Sequence, residues 1–561
     1  MSSFRDTCLT IQFMKKLLTL AFLLASAFGL AQNLTETDKL YTTAKLWGFL
    51  KYYHPEVAGG KFDWDAQLFD IIEKTKTISN SGDLSAVYDK WLDGLGPVKP
   101  CKACARPSSK KYLDKNFDLS WTQDPTLFSE SVSRKLKSIE QNRFLGKSHY
   151  FGVHDPVGNV EFKNEKTYGS GVWNDRNLRL LSLIRYWNQF EYFSPNKYLT
   201  DQNWNDVLRE MIPKFDNAKS EQELHLAMLE LVTRTDDSHA GITTAQANAY
   251  FGHYWIAADF RIIDEKAVIT SFHDVEKAQK DDLRIGDVIE KVNGKSISEI
   301  MKERDRYLPA SNPAVKKRRR YAFLNGPDDS ATIVFSRNGQ SAEKTVKRYL
   351  SDDLKDPVKT DPKWKILNNN IGYVDMGRLE IKEIDAMWDM LKATSAIIFD
   401  IRNYPKGTVY AIGAKLFGRE DFVTFTQPDP DYPGKFYWNK ILSIGKNGND
   451  KFKGKVILLV NEMTQSHGEF TVMGLQCAPN AITIGSQTAG ADGNVSDAIF
   501  PDGTSTYITG LGVYYPDGTQ TQRTGVKIDI EVQPTVSGIA EGRDEILEKA
   551  IKTASEKPIK N

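Results

Sequence analysis

The sequence predicts a multidomain α+β protein with a helical N-terminal region, a β-rich middle region and a C-terminal α/β domain. Its 561 residues are enough for three or four domains at ~100–200 residues each. Residues 40–95 repeat apolar side chains at helical spacing, which predicts helices. Near the other end, the four consecutive aliphatic residues from Ile457 to Val460 predict a buried parallel strand, and the helical apolar period that follows predicts a helix packed on the sheet.

The first residues have the pattern of a secretory signal. Met14 is followed by two lysines, by the apolar run LLTLAFLLASAFGL and by Ala31-Gln32 after small residues. We therefore expect residues 1–31 to be a signal peptide with Met14 as the initiator, and the mature protein to be periplasmic or secreted. The cleavage site has no cysteine, so a lipid anchor is not expected, and no later apolar stretch reaches the ~20 residues of a membrane span.

Two parts of the helical region resemble each other. LWGFLKYYHPE (residues 46–56) and RYWNQFEYFSPN (residues 185–196) are each followed by W-x-x-x-L, at Trp64 and Trp204. This predicts a diverged helical duplication whose aromatic residues lie in the core. We place an N-terminal helical and mixed domain at residues 32–165 and a second helical module at residues 166–245.

The expected mature chain has three cysteines. A metal site built on Cys101 and Cys104 (PCKAC) would need a second ligand pair nearby, and a redox motif would need a thioredoxin-like setting. A short structural disulfide is therefore favoured over free thiols. Cys477 is expected to lie on the apolar helix after Ser466 and in the core.

The middle region contains DDLRIGDVIEKVNGKSI (residues 281–297), whose R-x-G-D-x-I-x-x-V-N-G pattern resembles the second half of a PDZ domain. We place a PDZ-like domain at residues 246–350. PDZ domains take a peptide as an added strand and hold its terminal carboxylate with backbone amides. That carboxylate-binding loop is not recognisable in YFGHYWIAADF, so a purely structural linker domain is the alternative.

Four ordered blocks in the last two-fifths of the chain carry a family resemblance. VNEMTQSHGEF, around Ser466, resembles the nucleophile segment of the carboxyl-terminal-processing (tail-specific) serine peptidases and the related tricorn core. Three further segments resemble blocks of that family in order and spacing: AIIFDIRNYPKG, TIGSQTAGADG and GVKIDIEVQPT. The resemblance implies a crotonase/ClpP-like α/β catalytic domain at residues 360–556, with Ser466 as nucleophile and polypeptides as substrates. The local pattern alone fits a Ser or Thr helix cap equally well, and it lacks G-x-S-x-G.

The general base separates two branches of this family. The tail-specific branch has a lysine where this chain has Ala491, whereas LVTRTDDSHAGI resembles the Ser-His segment of the tricorn-like branch. The resemblance therefore implies His239 as the base, with Ser238 behind the imidazole to orient it. An unperturbed pKa of about 6.5 suits histidine to this role. A structural histidine ahead of a turn is the alternative.

The chain departs from the family at the fourth member of the catalytic network. Gln522 stands where tricorn has a glutamate, and an amide can donate a hydrogen bond but cannot stabilise an imidazolium by charge. Asp237 and Glu469 are further acidic candidates that the sequence does not rank.

The resemblance also implies an oxyanion hole made by the backbone amides of His467 and Gly407. The residue before Gly407 is Lys406 instead of glycine, and it would carry a strain of about 1–3 kcal/mol if the turn needs a positive φ there. We expect the His467 side chain at the lip of the site, not as a second base.

Charge excludes one class of partner. The chain has 74 basic and 73 acidic residues, and the run KKRRR at residues 316–320 is typical of a solvated helix face, so nucleic acid is not expected. Acyl transfer by a serine and a histidine requires no metal or cofactor, and none is predicted. The predicted function is that of an exported serine endopeptidase acting through an acyl-enzyme, and the alternative is a non-catalytic protein of the same fold that binds peptides or apolar ligands. The substrate and the oligomeric state are not predicted.

Overall fold

The computed structural model describes residues 34–106, 108–319 and 323–556. The predicted signal peptide at residues 1–31 lies outside this part of the chain. Within it, no helix is long and apolar enough to cross a membrane.

The N-terminal region is a bundle of helices, as predicted. Its helices are α1 (Glu36–Tyr53), α2 (Pro55–Ala58), α3 (Trp64–Thr75), α4 (Ser81–Gly94), α5 (Glu130–Gln141), α6 (Arg176–Phe193), α7 (Trp204–Asp216), α8 (Glu221–Thr233) and α9 (Ala245–Phe251). A short hairpin, β1 (Phe151–Val153) and β2 (Val160–Phe162), joins the two parts of the bundle. Helix α1 starts at a capping box between Thr35 and Asp38, and nearly all of its residues are buried, so it lies at the centre of the bundle.

The helical duplication is confirmed by a repeated tryptophan pair. In the first copy the Trp47 indole N–H donates to the Trp64 carbonyl at 2.9 Å and the Trp64 indole N–H donates back at 3.1 Å. In the second copy Trp187 and Trp204 exchange the same two bonds at 2.8 and 3.1 Å. The copies pack closely, because a Cβ added at Gly48 of α1 would lie 1.7 Å from the Asn188 side chain of α6.

The β-rich middle region is also confirmed. After the short β3 (Tyr254–Trp255), six strands form one antiparallel sheet: β4 (Ala258–Ile263), β5 (Lys266–Phe272), β6 (Val288–Val292), β7 (Lys295–Ser296), β8 (Ser330–Arg337) and β9 (Gln340–Lys347). The order is β4-β5-β6-β8-β9, with β7 beside β6, and β4 forms one edge. Three short helices accompany it: α10 (Val275–Lys280), α11 (Ile297–Arg304) and α12 (Pro313–Arg318). The PDZ-like assignment and the domain boundaries remain predictions.

The C-terminal region is built on a mostly parallel sheet. Past β10 (Tyr349–Leu350), which pairs with β3, its first strands are β11 (Trp364–Leu367), β12 (Ile371–Asp375) and β13 (Ala396–Asp400). A second small sheet contains β14 (Glu420–Pro428), β15 (Phe436–Trp438) and β16 (Leu442–Ile444). The main sheet continues with β17 (Lys455–Val460) and β18 (Ala481–Gly485). The hairpin of β19 (Val495–Ile499) and β20 (Ser505–Thr509) follows, and then β21 (Gly512–Tyr514), which pairs with β14, and β22 (Ile530–Glu531).

The main sheet has the order β11-β12-β13-β17-β18-β22, and every pair except β11 with β12 is parallel. Its helices are α13 (Ile384–Leu391), α14 (Val409–Leu416), α15 (His467–Leu475), α16 (Val536–Ala540) and α17 (Glu545–Ser555). Alternate residues of β17 enter opposite cores, Leu458 facing one cluster and Ile457 the cluster that contains α17. The continuous apolar run is therefore explained by a strand buried on both faces.

The cysteines follow the prediction in part. Cys101 and Cys104 form the expected disulfide. Cys477 is a free thiol, but it is half-buried, and the expectation that it lies in the core was wrong, because α15 ends at Leu475 and Cys477 falls in the turn beyond it. Burial still raises the pKa of this thiol to about 11.

Candidate active site

Ser466 is the last residue of the turn that joins β17 to α15. Its backbone has φ 54° and ψ −121°, a conformation that costs a residue with a side chain about 1–3 kcal/mol. Its amide donates to the Ala491 carbonyl at 2.9 Å. Because α15 begins at the next residue, the amide of His467 is a first-turn donor, and the hydrogen bonds of the described residues give it no acceptor.

Glu469 holds this strained turn in place. One carboxylate oxygen accepts the Thr488 hydroxyl at 2.6 Å and the Gly490 amide at 2.7 Å. The other accepts the Ala491 amide at 2.9 Å and the Ser466 amide at 3.3 Å. The side chain is fully buried, and burial raises its pKa although these four donors oppose the shift. Glu469 therefore fastens the turn that carries Ser466, the predicted nucleophile, to residues 488–491 and does not partner the imidazole. We call this turn, residues 461–466, the nucleophile turn after that prediction.

A second buried carboxyl group, Asp492, lies next to this network. Burial and the charge of Glu469 raise its pKa well above the usual range. Its Oδ2 atom is buried without a hydrogen-bond partner among the described residues. Asp492 was not identified from the sequence, where only its place after the T-A-G-A segment marks it.

The turn after β13 packs against the start of α15. The Thr464 hydroxyl donates to the Ile401 carbonyl at 2.7 Å, which ties the two turns together. A Cβ added at Gly468 would lie 3.8 Å from both the Asn403 carbonyl oxygen and a Pro405 ring carbon, so the contact is close. Arg402 anchors this turn through paired bonds to Asp400 and Asp544 at 2.7–2.9 Å.

The backbone of this turn is not strained at Lys406, the residue that stands in place of a glycine. Gly407 has φ 69°, whereas Lys406 is absent from the non-glycine residues of positive φ. The left-handed position therefore falls on the glycine that the chain retains, and the strain considered for Lys406 does not arise. The Lys406 side chain is exposed and lies 3.7 Å from Glu380.

His239 lies in the loop after α8, and its imidazole Nδ1 faces two groups. The Thr509 hydroxyl is 3.1 Å from Nδ1, and one Asp237 carboxylate oxygen is 3.5 Å away. Asp237 is buried and also accepts the amides of His239 at 3.0 Å and Thr509 at 3.1 Å. Although burial opposes it, the hydrogen bond and charge of His239 hold the pKa of Asp237 below its usual value. A carboxylate beside Nδ1 favours the tautomer with the proton on Nδ1 and leaves Nε2 free to accept one.

Ser238 has partners other than the imidazole. Its hydroxyl accepts the Ser311 amide at 2.9 Å and donates to the Ala489 carbonyl at 3.2 Å, and its amide donates to the Ser311 hydroxyl at 2.8 Å. The structure thus brings Ser238 to the segment beside the nucleophile turn but not behind the ring of His239.

Gln522 is buried near the same segment. Its neighbours are fixed by backbone bonds, from Thr521 to Val513 at 3.2 Å and from Arg523 to Gly490 at 2.7 Å. The described contacts include no hydrogen bond of the Gln522 side chain, so the structure does not join it to His239.

The basic run at residues 316–320 is not a solvated face where it meets the site. Arg318 donates to the Glu462 carbonyl at 2.7 Å and to the Gln465 side chain at 2.6 Å. Arg319 donates to the Ser238 carbonyl at 2.9 Å. The interpretation from charge was wrong for these two residues, because partly buried oxygen atoms of both candidate catalytic segments provide their acceptors. Arg320 lies outside the described residues.

The His467 side chain is half-buried between aromatic rings. Its ring centroid lies 6.3 Å from that of Tyr404 and 5.9 Å from that of Phe470. Burial lowers its pKa, and its Nε2 atom has no hydrogen-bond partner in the described part of the chain. This position fits a residue at the lip of the site.

Residues 489–491 connect the two candidate catalytic segments. The Ala489 carbonyl accepts from Ser238 and the Ala491 carbonyl accepts from Ser466, so the residue before His239 and Ser466 itself are bonded to one stretch of three residues. No hydrogen bond between the imidazole and the Ser466 hydroxyl occurs among the described contacts.

Comparison with known proteins assigns the sheet that carries Ser466. The profile of peptidase family S41 matches residues 370–532, the segment that carries Ser466. The protein is a serine-type peptidase, as the resemblance of the four sequence blocks implied. A search of curated proteins gave no match.

One solved structure with the same fold is mature CPAF complexed with lactacystin, with a TM-score of 0.55, 14% identity and coverage of 68% of this chain and 98% of CPAF. Mature CPAF alone matches with a TM-score of 0.54, 14% identity and coverage of 68% of this chain and 97% of CPAF. A weaker match, which is not used to assign the fold, is the photosystem II D1 C-terminal processing protease, with a TM-score of 0.39, 16% identity and coverage of 65% of this chain and 96% of that one.

Sequence reasoning missed several groups around the site. Thr509, Ser311, Thr488 and Asp492 are uncharged or isolated in the sequence, and their roles depend on which backbone groups the fold places opposite them. Asp237 was considered but not ranked, although its separation of two residues from His239 is the spacing at which an Asp side chain caps a nearby backbone amide.

Proposed function

We propose that this peptidase is an exported serine endopeptidase in which Ser466 is the nucleophile and His239 the general base. The observation that carries the proposal is the double attachment of residues 489–491 to Ser238 and to Ser466. It links segments more than 200 residues apart in sequence at the carboxyl edge of the main sheet. The left-handed backbone of Ser466, kept in place by Glu469, supports a functional role for the serine, since such strain persists only where the surroundings impose it.

Asp237 is the acidic partner of the base in this proposal. It is the carboxylate within 3.5 Å of Nδ1, and Thr509 adds a hydroxyl at 3.1 Å. Ser238 positions the loop through Ser311 and Ala489, and Gln522 contributes to the packing behind residue 490. The Ser-His pair of the tricorn-like branch is thus retained, with its charge supplied from Asp237 in place of the residue at position 522.

The reaction follows from these roles. In the substrate complex the Ser466 oxygen attacks the peptide carbonyl carbon while Nε2 of His239 takes the hydroxyl proton. The carbonyl electron pair moves onto oxygen, and the proposed oxyanion hole, the amides of His467 and Gly407, donates hydrogen bonds to it. Collapse of this intermediate breaks the C–N bond, and His239 returns the proton to the leaving amine. A water molecule then hydrolyses the acyl-enzyme by the same proton transfers in reverse.

A groove beside the nucleophile turn is suited to a polypeptide. Its volume is about 470 Å³, and its walls come from the edge strand β4, from α12 and from residues 461–463. An extended peptide can add to an exposed sheet edge through its backbone. We propose that the middle sheet engages substrate in this groove. If the sheet is a structural linker only, substitutions along β4 that keep the fold will leave peptide cleavage unchanged.

Export rests on two independent features. The N-terminal pattern of residues 14–32 is that of a signal peptide. The Cys101–Cys104 disulfide belongs to a class of bond that forms and persists in oxidising compartments. Cell fractionation with a thiol-blocking reagent present at lysis tests this, because a cytoplasmic, reduced protein would contradict it.

Labelling with a fluorophosphonate tests the catalytic assignment. Wild type should be labelled, and Ser466→Ala, His239→Ala and Asp237→Asn should each remove or strongly slow the reaction while the circular dichroism spectrum is unchanged. His225→Gln is the matched control, because His225 also lies beside a carboxylate, Asp502 at 3.1 Å, in a different place. Full labelling of His239→Ala would refute the base assignment.

The alternative is a non-catalytic binding protein on the same fold. It predicts a folded wild type that is neither labelled nor able to cleave an unfolded protein such as reduced casein. It also predicts that Ser466→Ala keeps the biological activity of wild type.

A further inference from the structure

The helical duplication creates two comparable positions where its copies meet. The shift in numbering that relates Trp47 to Trp187 also relates Lys45 to Arg185 and Asp65 to Asn205. In each position a cation of one copy faces the residue of the other copy that follows its second tryptophan. The two positions are therefore structurally equivalent and can be compared directly.

The position around Arg185 is closed and charge-balanced. Arg185 is 1% exposed, and its guanidinium lies 2.7 Å from Asp65 and 3.1 Å from Glu165. Glu165 also pairs with the buried Lys51 at 2.7 Å, and Tyr168 donates to Asp65 at 3.0 Å. Two cations and two carboxylates thus neutralise one another, as buried charges must.

The position around Lys45 lacks a carboxylate. Lys45 is 5% exposed, and its ammonium donates to the Asn205 side-chain oxygen at 2.7 Å and to the Tyr41 hydroxyl at 3.4 Å. No carboxylate of the described residues lies within 4.0 Å of it. Glu191, the counterpart of Lys51, is already paired with Lys197 at 2.7 Å. Burial lowers the pKa of Lys45 to about 8.

This position opens into a cavity of about 880 Å³. Its walls carry the aromatic residues Tyr41, Phe117, Trp121, Tyr198 and Trp204, with charged groups at the rim. The Lys45 ammonium lies 4.7 Å from the Trp121 ring centroid. The volume is within the range of small-molecule sites, and the aromatic rings offer stacking surfaces among the polar and charged side chains of the lining.

We propose that this cavity is a second ligand site that binds an organic carboxylate with an aromatic or apolar body. The carboxylate takes the place at Lys45 and Asn205 that the Asp65 carboxylate takes at Arg185, and the body packs on the aromatic walls. The acidic residues Asp114, Asp118 and Asp124 at the rim disfavour ligands with several negative charges. A free organic acid and the terminal carboxylate of a short peptide share this chemistry.

Calorimetric titration of the full mature protein tests the site with four probes: N-acetyl-tryptophan, its amide, Gly-Gly-Trp and Gly-Gly-Trp-amide. Each acid should bind at least tenfold more tightly than its amide, and the tighter of the two acids identifies the source. Lys45→Met should remove this preference, whereas Lys115→Met at the exposed rim should keep it. Ser466→Ala should bind like wild type, which separates this site from the peptidase site.

A second measurement does not depend on the probes. Asn205→Asp supplies the missing carboxylate, so it should raise the melting temperature of the protein that retains Lys45. The increase should be smaller in a Lys45→Met background. Comparing the two backgrounds removes any effect of the new charge on the start of α7. It should also weaken binding of both acids at least tenfold. Equal binding of acids and amides, no binding of any probe at millimolar concentration, or destabilisation by Asn205→Asp would each overturn the proposal.

Discussion

Replacing Glu469 by glutamine should loosen the nucleophile turn without changing its shape. Each carboxylate oxygen accepts two donors, and a glutamine nitrogen accepts none. If nitrogen takes one position, it faces the Gly490 amide and the Thr488 hydroxyl. In the other position it faces the amides of Ala491 and Ser466. At least one backbone amide is left without an acceptor in either case, and the remaining bonds lose their charge.

The expected magnitude follows from these bonds. A hydrogen bond to a charged group contributes about 1.5–3 kcal/mol, and an unsatisfied buried donor costs about 1–3 kcal/mol. Removing a buried charge recovers part of this, because burial already raises the pKa of Glu469. We expect the local opening free energy of the turn to fall by about 2–4 kcal/mol, which corresponds to roughly 30- to 700-fold faster exchange.

Hydrogen–deuterium exchange of residues 461–475 measures this, with helix α1 as an internal reference. Fluorophosphonate labelling of the same samples should slow in parallel. Glu462→Gln is the matched control, since Glu462 lies on the same turn and its carboxylate forms an ion pair with the partly exposed Arg261, at 3.1 Å. Loss of this pair should cost at most about 1 kcal/mol. Exchange in Glu469→Gln within twofold of wild type would refute the reasoning.

Three further predictions concern the proposed base, His239, and the turn that contains Gly407, a proposed donor of the oxyanion hole. Asp237→Asn should slow fluorophosphonate labelling by roughly 10³–10⁴-fold, because the Nδ1 proton loses the carboxylate that fixes its tautomer, and an unchanged rate would contradict this. Because His239 holds the pKa of Asp237 below its unfolded value of about 3.9, this carboxylate stabilises the fold above that pH and less as pH falls. The loss of stability to urea between pH 7 and pH 3 should therefore be smaller in Asp237→Asn, and an equal loss would argue against the contact. Lys406→Gly should change the labelling rate less than twofold, whereas Gly407→Ala should lower stability by about 1–2 kcal/mol and slow labelling; the reverse order would move the positive φ to position 406.

Backbone features were predictable where they follow from local periodicity. The buried strand before Ser466, the helix after it and the paired tryptophans of the duplication all come from apolar spacing that tertiary structure reinforces. The position of the left-handed residue in the turn of Pro405 to Gly407 was not predictable, because a family pattern with two adjacent glycines does not show which of the two has the positive φ.

Side-chain partners were less predictable for a physical reason. Glu469 and Asp237 have similar sequence settings, each close to a candidate catalytic residue, yet one binds four converging donors and the other faces an imidazole. Arg318 and Arg319 belong to a run that charge alone assigns to solvent, but their acceptors are backbone carbonyls about 80–144 positions away. Such contacts depend on which loops meet, and one sequence does not contain that information.

The attachments of the middle sheet also determine how it can move. Arg261 of β4 and Arg318 of α12 bond to Glu462 and Gln465, while Ser311 and Arg319 bond to Ser238. The middle sheet therefore cannot rotate freely against the C-terminal sheet. Such a rotation would break hydrogen bonds and an ion pair at both candidate catalytic segments. Displacement of the sheet edge by a bound chain would therefore be transmitted to the serine and to the histidine loop through single side chains. Binding of a chain in the groove would then also set the position of the Ser466 turn relative to the His239 loop.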